Sequence, residues 1–170
     1  MHITTPPMGW NSWNTFGENI NEKVVMETAD FIVESGLKDC GYEYVIIDDC
    51  WSLRERNEKG ELVPDPEKFP HGMKYVADYV HSLGLKFGMY NDIGTNLCAG
   101  AAVGTCGFED SDAQSYIDWG VDFLKVDNCY YLWDNATFSD AANAKYTYTP
   151  NIKSMRIVGN GFEKEYSAVS

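Results

Sequence analysis

Three apolar runs, each closed by aspartate, recur about every 40 residues along this chain. Tyr44-Val45-Ile46-Ile47 ends in Asp48-Asp49. Leu85-Lys86-Phe87-Gly88-Met89-Tyr90 ends in Asn91-Asp92. Val121-Asp122-Phe123-Leu124-Lys125-Val126 ends in Asp127. The runs are mostly continuous rather than alternating, the pattern of parallel strands covered on both faces. A shorter run, Met8-Gly9-Trp10-Asn11-Ser12-Trp13, serves as a first strand.

Helical patterns separate the runs. Val25, Ala29, Ile32 and Gly36 share one face, with Asn21 as N-cap. Met73, Val76, Ala77 and Val80 form a second stripe, closed by Gly84. Ala113, Tyr116, Ile117 and Gly120 form a third, capped by Ser111 or Asp110. The order is β-α-β-α-β-α-β, which specifies a parallel sheet with crossover helices. Two closures fit it: an open doubly wound sheet, or the first half of a (β/α)₈ barrel. No glycine-rich nucleotide motif follows a strand. From about Asn143 the chain becomes rich in Thr and Tyr, and residues 143–170 read as the start of an inserted β segment after a partial barrel domain over 1–142.

The 170 residues are 44% hydrophobic and 14% aromatic, a globular composition, and the formal net charge is −13. Such an acidic surface repels phosphate backbones and anionic membranes. No apolar run reaches the roughly 18 residues that a membrane span needs. Met1-His2-Ile3-Thr4-Thr5 lacks the basic and apolar regions of a signal peptide, which favours a cytoplasmic setting, or an extracellular one if the chain is trimmed. Five cysteines, Cys40, Cys50, Cys98, Cys106 and Cys129, are irregularly spaced and contain no C-x-x-C pair, so neither a disulfide framework nor a zinc site is indicated.

In parallel α/β proteins, ligands sit at the C-terminal ends of the strands. Here every full strand ends in carboxylates, with Trp13, Trp51 and Tyr90 nearby. Lys125 and Asp127 are two apart on a strand and point the same way. They form either a buried salt bridge or a charged pair used by a ligand. Of Asp48 and Asp49, one can cap a loop while the other faces the site. Carboxylates beside aromatic rings suit a sugar: the acids accept hydroxyl hydrogen bonds and the rings cover C–H faces.

Read together, these segments resemble the family 27 glycoside hydrolases, the group of α-galactosidases and α-N-acetylgalactosaminidases. The resemblance rests on Thr5-Pro6-Pro7-Met8-Gly9-Trp10-Asn11-Ser12-Trp13, Ile47-Asp48-Asp49-Cys50-Trp51, Phe69-Pro70-His71-Gly72-Met73, Gly84 to Tyr90, Cys98-Ala99-Gly100, Asp112-Ala113-Gln114, Trp119-Gly120-Val121-Asp122 and Leu124-Lys125-Val126-Asp127-Asn128-Cys129, in order. It implies the N-terminal half of a TIM barrel and a retaining double displacement, with no cofactor. Asp127 matches the nucleophile. Lys125 matches a residue that hydrogen-bonds ring hydroxyls, and Asp48 and Asp49 match the pair that recognises the 4- and 6-hydroxyls of galactose. Trp13 and Tyr90 match sugar-lining aromatics. Cys129 joins the substrate-lining residues and, with Cys98, matches a disulfide beside the site.

Some parts of the family pattern are missing from these residues. Its acid/base aspartate, in an Arg-x-x-x-Asp context after a later strand, has no match. The strand-five loop that reads the sugar's 2-position is also absent. Glu18 stands near the place of a family cysteine that bridges to Cys50, so Cys50 is expected unbridged. Cys40 and Cys106 read as core thiols.

The resemblance thus implies an exo-glycosidase releasing terminal α-D-galactosyl residues from a galactose-terminated saccharide, present here as a partial chain. α-N-acetylgalactosamine and β-L-arabinopyranose stay open as alternative sugars. A rival is a sugar-binding half-barrel without catalysis. Another is a metal-dependent hydrolase holding a cation on Asp48, Asp49 and Asp127, which Lys125 would oppose. Four strands leave two open edges, so the remainder of the barrel or another subunit is expected as partner. No nucleic-acid or membrane partner is expected.

Overall fold

The structure is a computed structural model that describes residues 6–130 and the backbone of two further strands, 154–159 and 162–167. Its elements run β1 (Gly9–Asn11), α1 (Trp13–Phe16), α2 (Glu22–Glu34), β2 (Tyr44–Ile46), α3 (Gly72–Ser82), β3 (Lys86–Asp92), α4 (Glu109–Trp119) and β4 (Phe123–Asp127). The first strand is shorter than its apolar run, because Trp13 has entered the one-turn helix α1.

The four strands form one parallel sheet in the order β1-β2-β3-β4. That order decides between the two closures. A doubly wound sheet reverses strand order at a switch point, whereas a barrel adds each strand beside the last. The sheet shows no reversal, so it has the topology of the first four units of a (β/α)₈ barrel. A separate antiparallel pair, β5 (Ser154–Gly159) with β6 (Phe162–Ser167), lies in the Thr- and Tyr-rich tail. The Asn135-Ala136-Thr137 glycosylation pattern falls outside the described residues.

Local chemistry sets the helix limits. The Asn21 side chain accepts a hydrogen bond from the Val24 amide, capping α2, and Val25, Ala29 and Ile32 are buried on its inner face. Met73, Val76, Ala77 and Val80 bury the matching face of α3. Gly84 ends that helix at φ +69, and a Cβ there would meet the Lys38 ammonium at 2.5 Å. The left-handed backbone there favours glycine, whereas the lysine end can swing aside.

Helix α4 follows the apolar stripe only at Tyr116. Its buried residues are Asp112 and Tyr116, whereas Ala113 is exposed and Ile117 is 69% exposed. The inward face is set by polar partners. Asp112 takes a two-pronged ion pair from Arg56, at 2.6 and 2.7 Å, and the Tyr116 hydroxyl accepts from the Asn91 amide. Trp119 packs edge-on against Trp51. Neither expected cap acts as one: Phe108 is the N-cap, and Ser111 instead donates to its carbonyl.

The core joins the sheet to these helices through Val45, Ile47, Phe87, Met89, Trp51 and Phe69. β3 is buried along nearly its whole length, which explains its continuous apolar run. Among the described residues β4 pairs on one side only, and Val126 is exposed. No helix among them is long and apolar enough to cross a membrane.

Gly88 on β3 pairs with Ile46, and a Cβ there would meet the Ile46 side chain at 2.7 Å. Gly88→Ala is therefore expected to destabilise the fold by about 1–3 kcal/mol through overpacking, read as a lower urea midpoint.

Candidate active site

Parallel strands deliver their C-terminal residues to one rim: Asn11 and Ser12 from β1, Asp48 and Asp49 after β2, Asn91 and Asp92 from β3, and Asp127 from β4. Each acidic group arrives with donors already placed.

Asp48 is 3% exposed. Its backbone amide donates to the buried Ser12 hydroxyl. Its Oδ2 accepts from the Asn11 side chain at 2.8 Å and from the Lys125 ammonium at 2.7 Å, while Oδ1 takes the Asp49 amide. A buried carboxylate needs such compensation. Asp49 plays the other role. Its two oxygens accept the amides of Cys50, at 2.6 Å, and Ala99, at 2.7 Å, so it clasps the loop that follows β3. Of the two neighbours, then, Asp49 ties down a loop and Asp48 meets the lysine.

Lys125 does not pair with Asp127, contrary to the buried-bridge alternative. Its register partner on β3 is Tyr90, and the ammonium lies 5.2 Å from the centre of that ring on its way to Asp48. The side chain is long enough to span the width of β3, so it meets the carboxylate beyond β2 rather than the one on its own strand. Tyr90 is buried and its hydroxyl accepts from the Cys98 amide; burial holds its phenol well above the ordinary range. Trp13 is 41% exposed beside Asn11, which accepts its amide, so its ring is open to a ligand.

Asp127 is partly exposed and takes the Asn128 amide at 3.0 Å. In register beside it stands Asp92, fully buried. One oxygen from each carboxylate and the sulfurs of Cys98 and Cys129 all lie within 4.8 Å of one another. This group does not suit a metal. The two sulfurs are joined as a disulfide, with Cα atoms 5.2 Å apart, and both Asp92 oxygens accept backbone amides. The alternative set of Asp48, Asp49 and Asp127 is no better, because Lys125 already neutralises Asp48.

The remaining cysteines are free. Cys50 lacks a bridge, and burial with Asp49 alongside pushes its thiol up, away from nucleophilic character. Cys40 and Cys106 are not core thiols: Cys40 is exposed in the short 3₁₀ turn before β2, and Cys106 is half-buried in the loop before α4. Turns between elements run over the surface and carry their side chains there. Two contributors escape a reading of strand-end acids alone. Asn11 and Ser12 act through Asp48, and their signal is their place at the end of β1 within the motif Met8-Gly9-Trp10-Asn11-Ser12-Trp13. Asp92 is visible as a strand-end acid, but nothing local marks its partners.

The family model described as Alpha galactosidase A (Melibiase_2) matches residues 5–156. An α-galactosidase of Cyamopsis tetragonoloba is 54% identical over 128 residues, covering 75% of this chain and 31% of that protein. The structure of an α-galactosidase from Saccharomyces cerevisiae with raffinose is 49% identical, with a TM-score of 0.72, over 74% of this chain and 27% of that one. A β-L-arabinopyranosidase structure from Geobacillus stearothermophilus is 30% identical, with a TM-score of 0.64, over 72% of this chain and 40% of that one. The chain spans about a third of the length of the curated relatives it matches.

The Cys98–Cys129 bridge closes a sequence separation of 31 residues. Replacing both cysteines by serine is expected to cost about 3–4 kcal/mol of stability, measured by urea unfolding beside the parent and the parent under reductant. The strand-end aspartates, the sequential parallel sheet and the matched residues place this chain in the Alpha galactosidase A family, glycoside hydrolase family 27, with the N-terminal half of that family's barrel as its fold.

Proposed function

We propose that the protein carrying this segment is a retaining exo-glycosidase that hydrolyses terminal α-D-galactosyl residues, with Asp127 as nucleophile. The observation that carries the reading is the convergence at one rim of a partly exposed carboxylate, Asp127, with the Asp48–Lys125 pair and the aromatic rings of Trp13 and Tyr90. An Asp127 oxygen attacks the anomeric carbon as the glycosidic C–O bond breaks, and water later cleaves the glycosyl ester with retention. Lys125 donates to ring hydroxyls. Asp48 and Asp49 accept from the 4- and 6-hydroxyls, and Trp13 and Tyr90 line the sugar's apolar face, with Cys129 beside it. The negative Asp127 carboxylate, held in place by the fold, stabilises the positive charge that develops on the ring.

A retaining mechanism needs a second carboxyl about 5–5.5 Å from the first to protonate the leaving oxygen. Among the described residues the acid nearest Asp127 on the adjacent strand is Asp92, and both its oxygens are engaged by amides. The catalytic reading therefore assigns the acid/base group to another part of the protein. The same observation favours a second reading for this segment by itself: it binds galactose without turning it over.

The test is hydrolysis of an aryl α-galactoside by this chain and by the chain extended to the end of its reading frame. The extended chain is expected to release the aryl group and form a sugar adduct on Asp127, and Asp127→Asn to lower turnover by about 10⁴-fold while leaving the melting temperature intact. A variant with the parent's rate would remove the nucleophile assignment. Inactivity towards α-galactosides with turnover of α-N-acetylgalactosaminides or β-L-arabinopyranosides would change the sugar and keep the mechanism.

A further inference from the structure

We propose that Asp92 is a positioning residue for the nucleophile: it holds the turn after β4 so that the Asp127 carboxylate is fixed at the rim. The proposal rests on the glycosidase reading for its kinetic consequence, but its structural half stands apart from it.

Asp92 is fully buried and in register with Asp127 on the adjacent strand. Its Oδ1 accepts the Gly94 amide at 2.7 Å and its Oδ2 accepts the Cys129 amide at 2.7 Å. Gly94 begins the loop after β3, and Cys129 is two residues beyond the nucleophile. One carboxylate thus ties both strand-end loops together. The Tyr130 amide turns to the same group. Around it, the Ile93 amide donates to the Asp127 carbonyl at 2.9 Å, and the Thr105 amide donates to the Asp92 carbonyl at 2.9 Å. The nucleophile is therefore held on one side by a backbone bond from Ile93 and on the other by the clamp on Cys129.

The disulfide alone does not supply this. It joins the Cys98 and Cys129 side chains, whereas the backbone direction at Cys129 is set by its amide. Cys98 Sγ lies 3.8 Å from Asp92 Oδ2, so bridge and carboxylate pack on each other. Burial pushes the Asp92 carboxyl up even though the amides pull it down, which marks it as a group kept in the interior at a cost. An asparagine at 92 would present only one acceptor oxygen to the two amides and leave one of them facing its NH₂ group.

Because Asp92 does not reach the sugar in this reading, its loss misplaces the attacking carboxylate without weakening substrate contacts. Small misplacement of a reacting group costs on the order of 100-fold in rate. The experiment uses the chain extended to the end of its reading frame, with Asp92→Asn and Asp92→Ala beside Asp127→Ala. The Asp92 variants are expected to lose about 100-fold in kcat on an aryl α-galactoside with KM nearly unchanged. Azide, an external nucleophile, is expected to restore turnover to Asp127→Ala and not to Asp92→Ala. Hydrogen exchange at the Gly94 and Cys129 amides is expected to speed up in Asp92→Asn.

Parent-like kcat in both Asp92 variants would overturn the proposal. So would a loss confined to melting temperature with full activity per folded molecule, or azide rescue of Asp92→Ala. If the parent hydrolyses no glycoside, the functional reading fails on that result, and the clamp is still judged by exchange: unchanged protection at Gly94 and Cys129 would remove it.

Discussion

In-register parallel pairing is the constraint on which the rest of this structure depends. Tyr44, Lys86 and their neighbours align β2 with β3, and the pairs Tyr90–Lys125 and Asp92–Asp127 align β3 with β4. Since the strands run the same way in sequential order, every strand ends at one rim. A slip of one residue on β4 would turn Lys125 and Asp127 to the opposite face and disband the site. The apolar pairs Val45–Phe87, buried, and Met89–Leu124, with Leu124 partly buried, hold that register, so the core and the rim are fixed by the same ladder.

The rim concentrates negative charge in a chain that is already acidic, and its buried carboxylates are compensated in more than one way. Asp48 has a cation and a side-chain amide, Asp49 and Asp92 have pairs of backbone amides, and Asp112 has an arginine. Removing water from an ion is costly unless its lone pairs are met. The compensation leaves Asp127 as the more open carboxylate of the rim. Rigidity follows from it too: the loop after β2, the loop after β3 and the turn after β4 are each tied by a carboxylate rather than by apolar packing alone.

Much of this was legible beforehand. The recurrence of apolar runs ending in aspartate specified the parallel strands, and periodicity with Asn21 and Gly84 placed α2 and α3. In α4 the apolar stripe places Tyr116 inward, as the structure has it, but gives no sign of Asp112, which faces inward through an arginine that lies far away in sequence. The same limitation hid the partner of Lys125. Two residues along a strand point the same way, yet where a four-carbon side chain ends depends on what the neighbouring strand places beneath it.

By itself the sequence determined the order of elements, the strand-end acids and the family they match, because periodicity and motif are local properties of the chain. The pairing of Cys98 with Cys129 was implied by that match and is present in the structure. Tertiary structure alone decided that the strands add in sequence without a switch point, that Asp49 clasps a loop while Asp48 receives Lys125, and that Asp92 holds the turn beyond Asp127. Those outcomes depend on distances between residues as many as 77 apart in the chain, and such distances exist only once the sheet has aligned its strands.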